Sequence, residues 1–76
     1  MIIIDLEVDA TGLMCPLPLL RLKKALNAIE EGQVIRILAT DPASVLDFGV
    51  FLEQVGHELL ERSEETEVFC YVIRKT

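Results

Sequence analysis

Cys15 is the residue of this sequence best placed for chemistry, because it lies between a strand pattern and a helix pattern in the segment Gly12-Leu13-Met14-Cys15-Pro16-Leu17-Pro18. A thiol at the start of a helix lies in the positive end of the helix dipole, which favours the thiolate, its nucleophilic form. Pro16 and Pro18 lack an amide hydrogen, so fewer backbone donors remain for a capping thiolate. We therefore predict an exposed thiol, held at a fixed angle by the prolines, whose pKa is moderately lowered.

The other reactive side chains do not complete a familiar catalytic set. His57 is the only histidine, and since nothing in its spacing ties it to Cys15, we interpret it as a surface residue at a strand end rather than a base. Cys70 is interpreted as a small buried hydrophobe, although a Cys15–Cys70 disulfide stays open. The sequence has no Cys-x-x-Cys pair, Cys/His cluster or glycine-rich phosphate loop, so we predict no metal and no cofactor. These residues favour a sulfur nucleophile that accepts and hands on a group, with partners supplying the rest.

Composition limits the protein to one small domain, residues 1–76, with 51% hydrophobic residues and a formal charge of −6. An acidic chain lacks the clustered basic surface that nucleic acids require, so direct nucleic-acid binding is not expected. The segment Met1–Glu7 lacks the basic start and long apolar run of a signal peptide, and no apolar run approaches the length of a membrane span. Two cysteines without a secretion signal indicate reduced thiols in the cytoplasm.

Periodicity predicts four strands and two helices. Apolar residues alternate in the strands and recur at helical spacing in the helices. Proline at a first turn and glycine at an end mark the helix limits, with Asp41 as the cap of the second helix. The predicted elements are strands over Ile2–Val8, Gln33–Thr40, His57–Ser63 and Val68–Arg74, and helices over Pro16–Glu30 (stopped by Gly32) and Pro42–Val55 (stopped by Gly56).

The order βαβαββ predicts a two-layer α/β sandwich, of the α+β type, with a mixed four-stranded sheet and two helices on one face. Right-handed βα crossovers should give parallel neighbouring strands, and the final hairpin should add antiparallel pairing. The second sheet face should stay open to solvent or to a partner. Its apolar residues leave a second function open, a non-catalytic regulatory or binding module that acts as a monomer or weak homodimer; they are Val34, Leu38, Val68 and Val72.

Three motifs stand in register along the sequence. They are Cys15-Pro16-Leu17-Pro18, which is a Cys-Pro-x-Pro motif, then Asp41-Pro42-Ala43 and Gly56-His57-Glu58-Leu59. With them the sequence resembles the TusA/SirA/YedF-like family of sulfur carriers over nearly the whole chain. The resemblance implies a covalent sulfur carrier, of the transferase class if counted as an enzyme, with a persulfide on Cys15. It implies a cysteine desulfurase or rhodanese as the sulfur donor and a downstream acceptor protein. The relay would feed 2-thiolation of the wobble uridine of tRNA or, as in other relatives, oxidative sulfur metabolism or molybdenum-cofactor supply.

The resemblance also implies roles for individual residues. Gly12, Pro16 and Pro18 would shape the loop of the carrier cysteine. Lys23 and Lys24 fall where relatives carry basic residues used in partner docking. Asp41 matches the aspartate before the second helix, and its first turn should lie at the same sheet edge as Cys15; capping is the favoured role there over thiolate tuning.

One departure from the family pattern bears on the choice of partner. The middle of the second helix often reads Ile-Pro-x-Phe-Cys in relatives, whereas this chain has Phe48-Gly49-Val50-Phe51-Leu52. The second family cysteine is therefore absent there, and Cys70 does not replace it. The carrier role of Cys15 does not depend on that second cysteine.

Overall fold

The secondary structure follows the predicted order, βαβαββ, in a computed structural model that describes residues 2–76. The strands are β1 (Leu6–Ala10), β2 (Val34–Ala39), β3 (Glu58–Glu65) and β4 (Val68–Arg74). The helices are α1 (Leu17–Ala28) and α2 (Pro42–Val55). They form the predicted two-layer α/β sandwich with a mixed four-stranded sheet.

The strand order in the sheet is β1-β2-β4-β3. β1 and β2 are parallel neighbours, as predicted, and β4 pairs antiparallel with both β2 and β3. The expectation that β2 and β3 would also be parallel neighbours is wrong, because β4 lies between them. This order places the most apolar strand in the middle of the sheet and the acidic strand β3 at an edge, where charged side chains discourage pairing with other chains.

The core lies between the helices and one face of the sheet. Alternate residues of β2 and β4 point to this face, as the period of two predicts. Phe48 of α2 is fully buried and meets the ring of Tyr71 edge-on, with ring centroids 5.2 Å apart. The other buried residues of this cluster are Ala10, Leu22, Ala25, Leu26, Ile29, Ile35, Ile37, Ala39, Leu52 and Ile73.

The first strand begins later in the sequence than the alternating pattern predicts. β1 begins at Leu6, so the prediction of a strand from Ile2 is wrong. Asp5 ends the pairing: its amide donates to the carbonyl of Val34 (2.9 Å), and its carboxylate accepts from the amide of Val34 (2.8 Å). Because a side chain takes the place of a ladder partner, the strand pairing does not continue beyond this point.

The sheet face away from the helices is less open than predicted. Val34 and Val72 are only 7% and 5% exposed, and Leu38 and Val68 are half-buried. Ile2 lines a shallow depression on this side together with Val72. The apolar patch expected to make this face adhesive is therefore largely covered by the chain itself.

Helix ends agree with the sequence at α2 and differ at α1. α2 is capped by Asp41 and is stopped by Gly56, whose left-handed φ of +79° suits glycine and whose amide donates to the carbonyl of Leu52 at 2.9 Å. α1 ends at Ala28, before the predicted stop at Gly32, which instead lies in the turn before β2. Neither helix in the described part of the chain has the length and apolar character needed to span a bilayer.

Candidate functional site

Cys15 lies on the loop between β1 and α1, two residues before the helix begins. The loop turns at Gly12, whose φ of +77° lies in the region that favours glycine, and the amide of Gly12 donates to the hydroxyl of Thr40 at 2.9 Å. The Cys15–Pro16 peptide bond is cis. The thiol is free and exposed, so its predicted exposure is confirmed.

The start of α1 does not use the thiol as a cap. Pro16 occupies the N-cap position, and no side chain accepts a hydrogen bond there. The amide of Leu17, which could have donated to a capping thiolate, donates to the carbonyl of Met14 at 2.9 Å. Pro18 is buried and supplies no amide hydrogen. The prediction that Cys15 caps the helix is therefore wrong, because Pro16 intervenes and the local turn uses the free amide.

Asp41 joins the thiol loop to the start of α2. Its carboxylate caps the helix by accepting from the amide of Ala43 at 3.2 Å and from the hydroxyl of Ser44 at 3.2 Å. The same carboxylate accepts from the amide of Cys15 at 2.6 Å. Hydrogen bonds hold the pKa of the Asp41 carboxyl below its usual value, and the one from the backbone amide of Cys15 has the largest effect. The predicted cap and the shared sheet edge are confirmed, and Asp41 also fixes the backbone of Cys15.

Asp47, on the second turn of α2, is the direct partner of the thiol. The Sγ of Cys15 donates to Oδ2 of Asp47 at 2.9 Å. This hydrogen bond, followed by partial desolvation and the charges of Asp47 and Asp41, raises the pKa of the Cys15 thiol above its ordinary value. The predicted lowering of the pKa is therefore wrong, since carboxylates beside the sulfur favour the neutral thiol.

Asp47 could not be identified as a site residue from the sequence. Helical periodicity indicates which residues of α2 face the core, but Asp47 follows the cap residue Asp41 by six positions and matches no motif. Its contact with Cys15 joins residues 32 positions apart. Such a contact depends on how α2 packs beside the loop after β1, which only the tertiary structure determines.

Comparison with known proteins identifies the family. The family model for sulfurtransferase TusA matches residues 6–75. The chain belongs to the TusA family of sulfur carriers. The sulfur carrier protein TusA of Allochromatium vinosum is 54% identical over 72 residues, which are 95% of each chain. The TusA of Pseudomonas entomophila is 42% identical over 71 residues, 93% of this chain and 89% of the relative.

A solved structure supports the same family and fold. The crystal structure of a SirA-like protein from Desulfitobacterium hafniense has a TM-score of 0.80 and 31% identity, and the match covers 91% of this chain and 95% of that one. The segment that matches the TusA model contains all three residues of the site, Cys15, Asp41 and Asp47. As a TusA-family sulfur carrier, the protein has a sulfur donor and a sulfur acceptor among its partners.

The two predicted lysines lie on α1, away from the carboxylates that touch Cys15. The ammonium group of Lys23 lies over the ring of Phe51, 5.4 Å from its centroid, and Lys24 is exposed. The charges that shift the pKa of the thiol are both carboxylates. The structure therefore places Lys23 and Lys24 on the outer side of this TusA-family domain and does not bring them to the sulfur.

His57 lies at the opposite end of α2 from the thiol. It lies two residues after Val55, the last residue of the helix, while Cys15 contacts the N-terminal half, and a 14-residue helix is about 21 Å long. The Nδ1 of His57 accepts from the amide of Thr76 at 3.2 Å. The interpretation of His57 as a strand-end residue rather than a base is confirmed.

Cys70 lies on β4 opposite Leu38, on the sheet face away from the helices. It is half-buried and free, as Cys15 is free, so the prediction of a buried Cys70 is confirmed only in part. Residues 2–76 contain no group of three His, Cys, Asp or Glu side chains placed to hold a metal ion. The chemistry available at the site is therefore that of one exposed sulfur beside two carboxylates.

Proposed function

We propose that this protein carries sulfane sulfur as a persulfide on Cys15, taken from a cysteine desulfurase or a rhodanese and passed to a downstream acceptor protein. The observation that supports this most is the exposure of Cys15 in the Cys-Pro-x-Pro loop of a TusA-family chain. Asp41 and Gly12 fix the backbone around the thiol. A carrier needs such an accessible and rigidly mounted sulfur, because both of its partners must reach the same atom.

The loading step exchanges one sulfur–sulfur bond for another. The sulfur of Cys15, as its thiolate, attacks the terminal sulfur of the donor persulfide. A bond forms between Sγ and that terminal sulfur, the donor S–S bond breaks, and its electron pair leaves on the donor thiolate, which takes up the proton that Cys15 lost. The products are a Cys15 persulfide and a donor thiol, without net oxidation or reduction.

The surface around the thiol suits contact with protein partners. Met14, Leu17 and Leu46 flank Cys15 or Asp47 in the sequence and are 75%, 48% and 74% exposed. Exposed apolar side chains grouped on a small protein favour an interaction surface. Lys23 and Lys24 lie on α1 apart from this surface, and in our proposal they pair with acidic groups of a donor or acceptor at a second point of contact.

The acceptor pathway that we propose is 2-thiolation of the wobble uridine of tRNA. The formal charge of −6 disfavours direct contact with RNA, so a later enzyme would transfer the sulfur to the tRNA. In this scheme residues 1–76 act as one cytoplasmic carrier domain, as a monomer or weak homodimer and without a cofactor. Oxidative sulfur metabolism and molybdenum-cofactor supply are the alternatives that an experiment must separate from it.

Mass spectrometry of the loaded protein tests the carrier role. After incubation with a cysteine desulfurase and cysteine, the wild type should gain the mass of one sulfur atom. Cys15→Ser should gain none, and Cys70→Ser, the matched control for the loss of a thiol, should load like the wild type. Loading of Cys15→Ser, or loading that requires Cys70, would refute the proposed role.

A complementation experiment tests the pathway. The wild-type chain, expressed in a bacterium that lacks its own carrier of this family, should restore 2-thiouridine in tRNA, as measured by nucleoside mass spectrometry, and Cys15→Ser should not. A loaded carrier that leaves 2-thiouridine absent contradicts the tRNA pathway and favours the two alternatives.

A further inference from the structure

We propose, resting on the carrier role above, that Asp47 is the proton-holding residue of this carrier. In the unloaded protein its carboxylate keeps the proton on the Cys15 thiol. In the loaded protein it keeps a proton on the terminal sulfur of the persulfide, so that the stored sulfur stays electrophilic toward an acceptor.

The geometry of the thiol carries the first half of this inference. The Sγ of Cys15 lies 2.9 Å from Oδ2 of Asp47, while its backbone amide is held by Asp41 at 2.6 Å. The residue is thus fixed at two points, and the S–H bond points at a carboxylate. The raised pKa of the thiol agrees with this arrangement.

The surrounding charges leave Asp47 as the group that controls the proton. The first turn of α1, Leu17–Leu20, has no charged side chain. On the β1 side, the carboxylate of Asp9 is engaged by the amide and hydroxyl of Thr11 at 3.0 and 2.6 Å. Asp41, before α2, accepts from the backbone amide of Cys15, and the described hydrogen bonds include none from the sulfur to Asp41. The sulfur therefore has one direct acceptor, Asp47, among the described hydrogen bonds.

The same carboxylate reaches the sulfur of a loaded carrier. A persulfide adds one S–S bond of about 2.05 Å to Sγ. With a right angle at Sγ between that bond and the observed 2.9 Å contact, the terminal sulfur lies about 3.6 Å from Oδ2 of Asp47. This is an S–H···O distance, so a proton on the terminal sulfur can be shared with Asp47 without any movement of the backbone.

Proton holding affects the two forms of the carrier in opposite ways. A protonated thiol is a poor nucleophile, so Asp47 protects the empty carrier from stray electrophiles. A protonated persulfide, in contrast, is the electrophilic form. The nucleophile attacks the terminal sulfur and the electron pair of the S–S bond moves to Sγ, whereas a negative charge on the terminal sulfur would repel the nucleophile. Asp47 therefore slows the reactions of the thiol and supports the release of the stored sulfur.

The release step balances with a thiol as acceptor. The acceptor thiolate attacks the terminal sulfur, a new S–S bond forms, and the bond between that sulfur and Sγ breaks with its electron pair going to Sγ. The transferred sulfur keeps its proton, and the proton lost by the acceptor thiol returns to Sγ beside Asp47. A Cys15 thiol and an acceptor persulfide result, without net redox change.

Asp47→Asn tests the inference through two reactions that should change in opposite directions. Alkylation of the empty protein by iodoacetamide at pH 7 should become faster, by about threefold for each tenfold rise in thiolate fraction. Release of sulfur from the loaded protein to cyanide, measured as thiocyanate, should become several-fold slower. As the pH is raised and the persulfide ionises, the release rate should fall. This fall should begin at a lower pH in Asp47→Asn than in the wild type, because the persulfide of the variant ionises more readily. Asp47→Glu should partly restore both rates.

Glu53→Gln is the matched control, since it removes one negative charge from an exposed position of the same helix; it should leave both rates unchanged. If Asp47→Asn changes both rates in the same direction, or leaves release as fast as in the wild type, the inference is overturned. If the wild type itself gains no sulfur on Cys15, the carrier role fails instead, and the two failures are distinct.

Discussion

Lys75 caps the C-terminal end of α1, the helix that follows the Cys15 loop. Replacing its side chain tests how the rest of the fold stabilises that helix. Its ammonium group donates to the carbonyls of Leu26 (2.7 Å) and Ile29 (2.8 Å), in a half-buried position. These carbonyls have no partner within the helix, and a cation there also suits the helix dipole. Lys75→Met keeps much of the aliphatic length and removes both hydrogen bonds.

The expected loss of stability follows from these contacts. A hydrogen bond to a charged group contributes about 1.5–3 kcal/mol when buried, and we take about 1 kcal/mol for each bond of Lys75 because solvent screens a half-buried position. The variant should therefore lose about 2 kcal/mol, out of about 4–11 kcal/mol expected for 76 residues. With an unfolding entropy of about 160 cal/mol/K for this length, Tm should fall by about 12 °C.

Urea and thermal unfolding, followed by circular dichroism, measure this loss. Lys24→Met is the matched control, because it removes an exposed lysine from α1 itself. It should change the free energy of unfolding by less than about 0.5 kcal/mol. The backbone bonds of Lys75 with Gln33 (2.9 Å) and Gly32 (2.7 Å) do not depend on its side chain. A loss of less than about 0.5 kcal/mol in Lys75→Met would refute the capping role of the ammonium group.

Two further predictions concern pH and the core. Because Asp47 raises the pKa of the thiol, the alkylation rate of Cys15 should still be rising with pH where the rate for a peptide of residues 11–19 has levelled off. If the rate for the protein levels off at a lower pH than that of the peptide, the result contradicts the hydrogen bond from Cys15 to Asp47. Phe48→Leu should lower the free energy of unfolding by about 2 kcal/mol, since it removes the edge-on contact with Tyr71 and leaves a small cavity; urea denaturation measures it, and an unchanged midpoint would refute the packing role.

Local patterns predicted the elements well where neighbouring residues decide them. β4 has the predicted limits, Val68–Arg74, because its alternation and the turn before it are both local. The limits of α2 also agree, since Asp41 and Gly56 supply its cap and its stop within the helix's own sequence. The end of α1 differs, because the group that closes it, Lys75, comes from the other end of the chain.

The sheet order and the N-terminus depend on competition between distant segments. The alternation in Ile2–Val8 predicts a strand over the whole segment. However, the amide of Val34 donates to the carboxylate of Asp5 rather than to a backbone carbonyl, and β1 begins only at Leu6. β4 lies between β2 and β3 because a central position buries its apolar residues and leaves the acidic strand at the edge. Periodicity does not rank such alternative pairings.

The sequence by itself determined the family, the element order and the identity of the exposed sulfur, because short motifs and local periodicity carry that information. The tertiary structure alone decided the chemical state of that sulfur. The helix-dipole argument considers only the residues next to Cys15, whereas the thiol responds to Asp41 and Asp47, which α2 brings from 26 and 32 positions away. Electrostatic effects depend on distance in space, so the packing of α2 beside the loop reverses the expected direction of the pKa of Cys15.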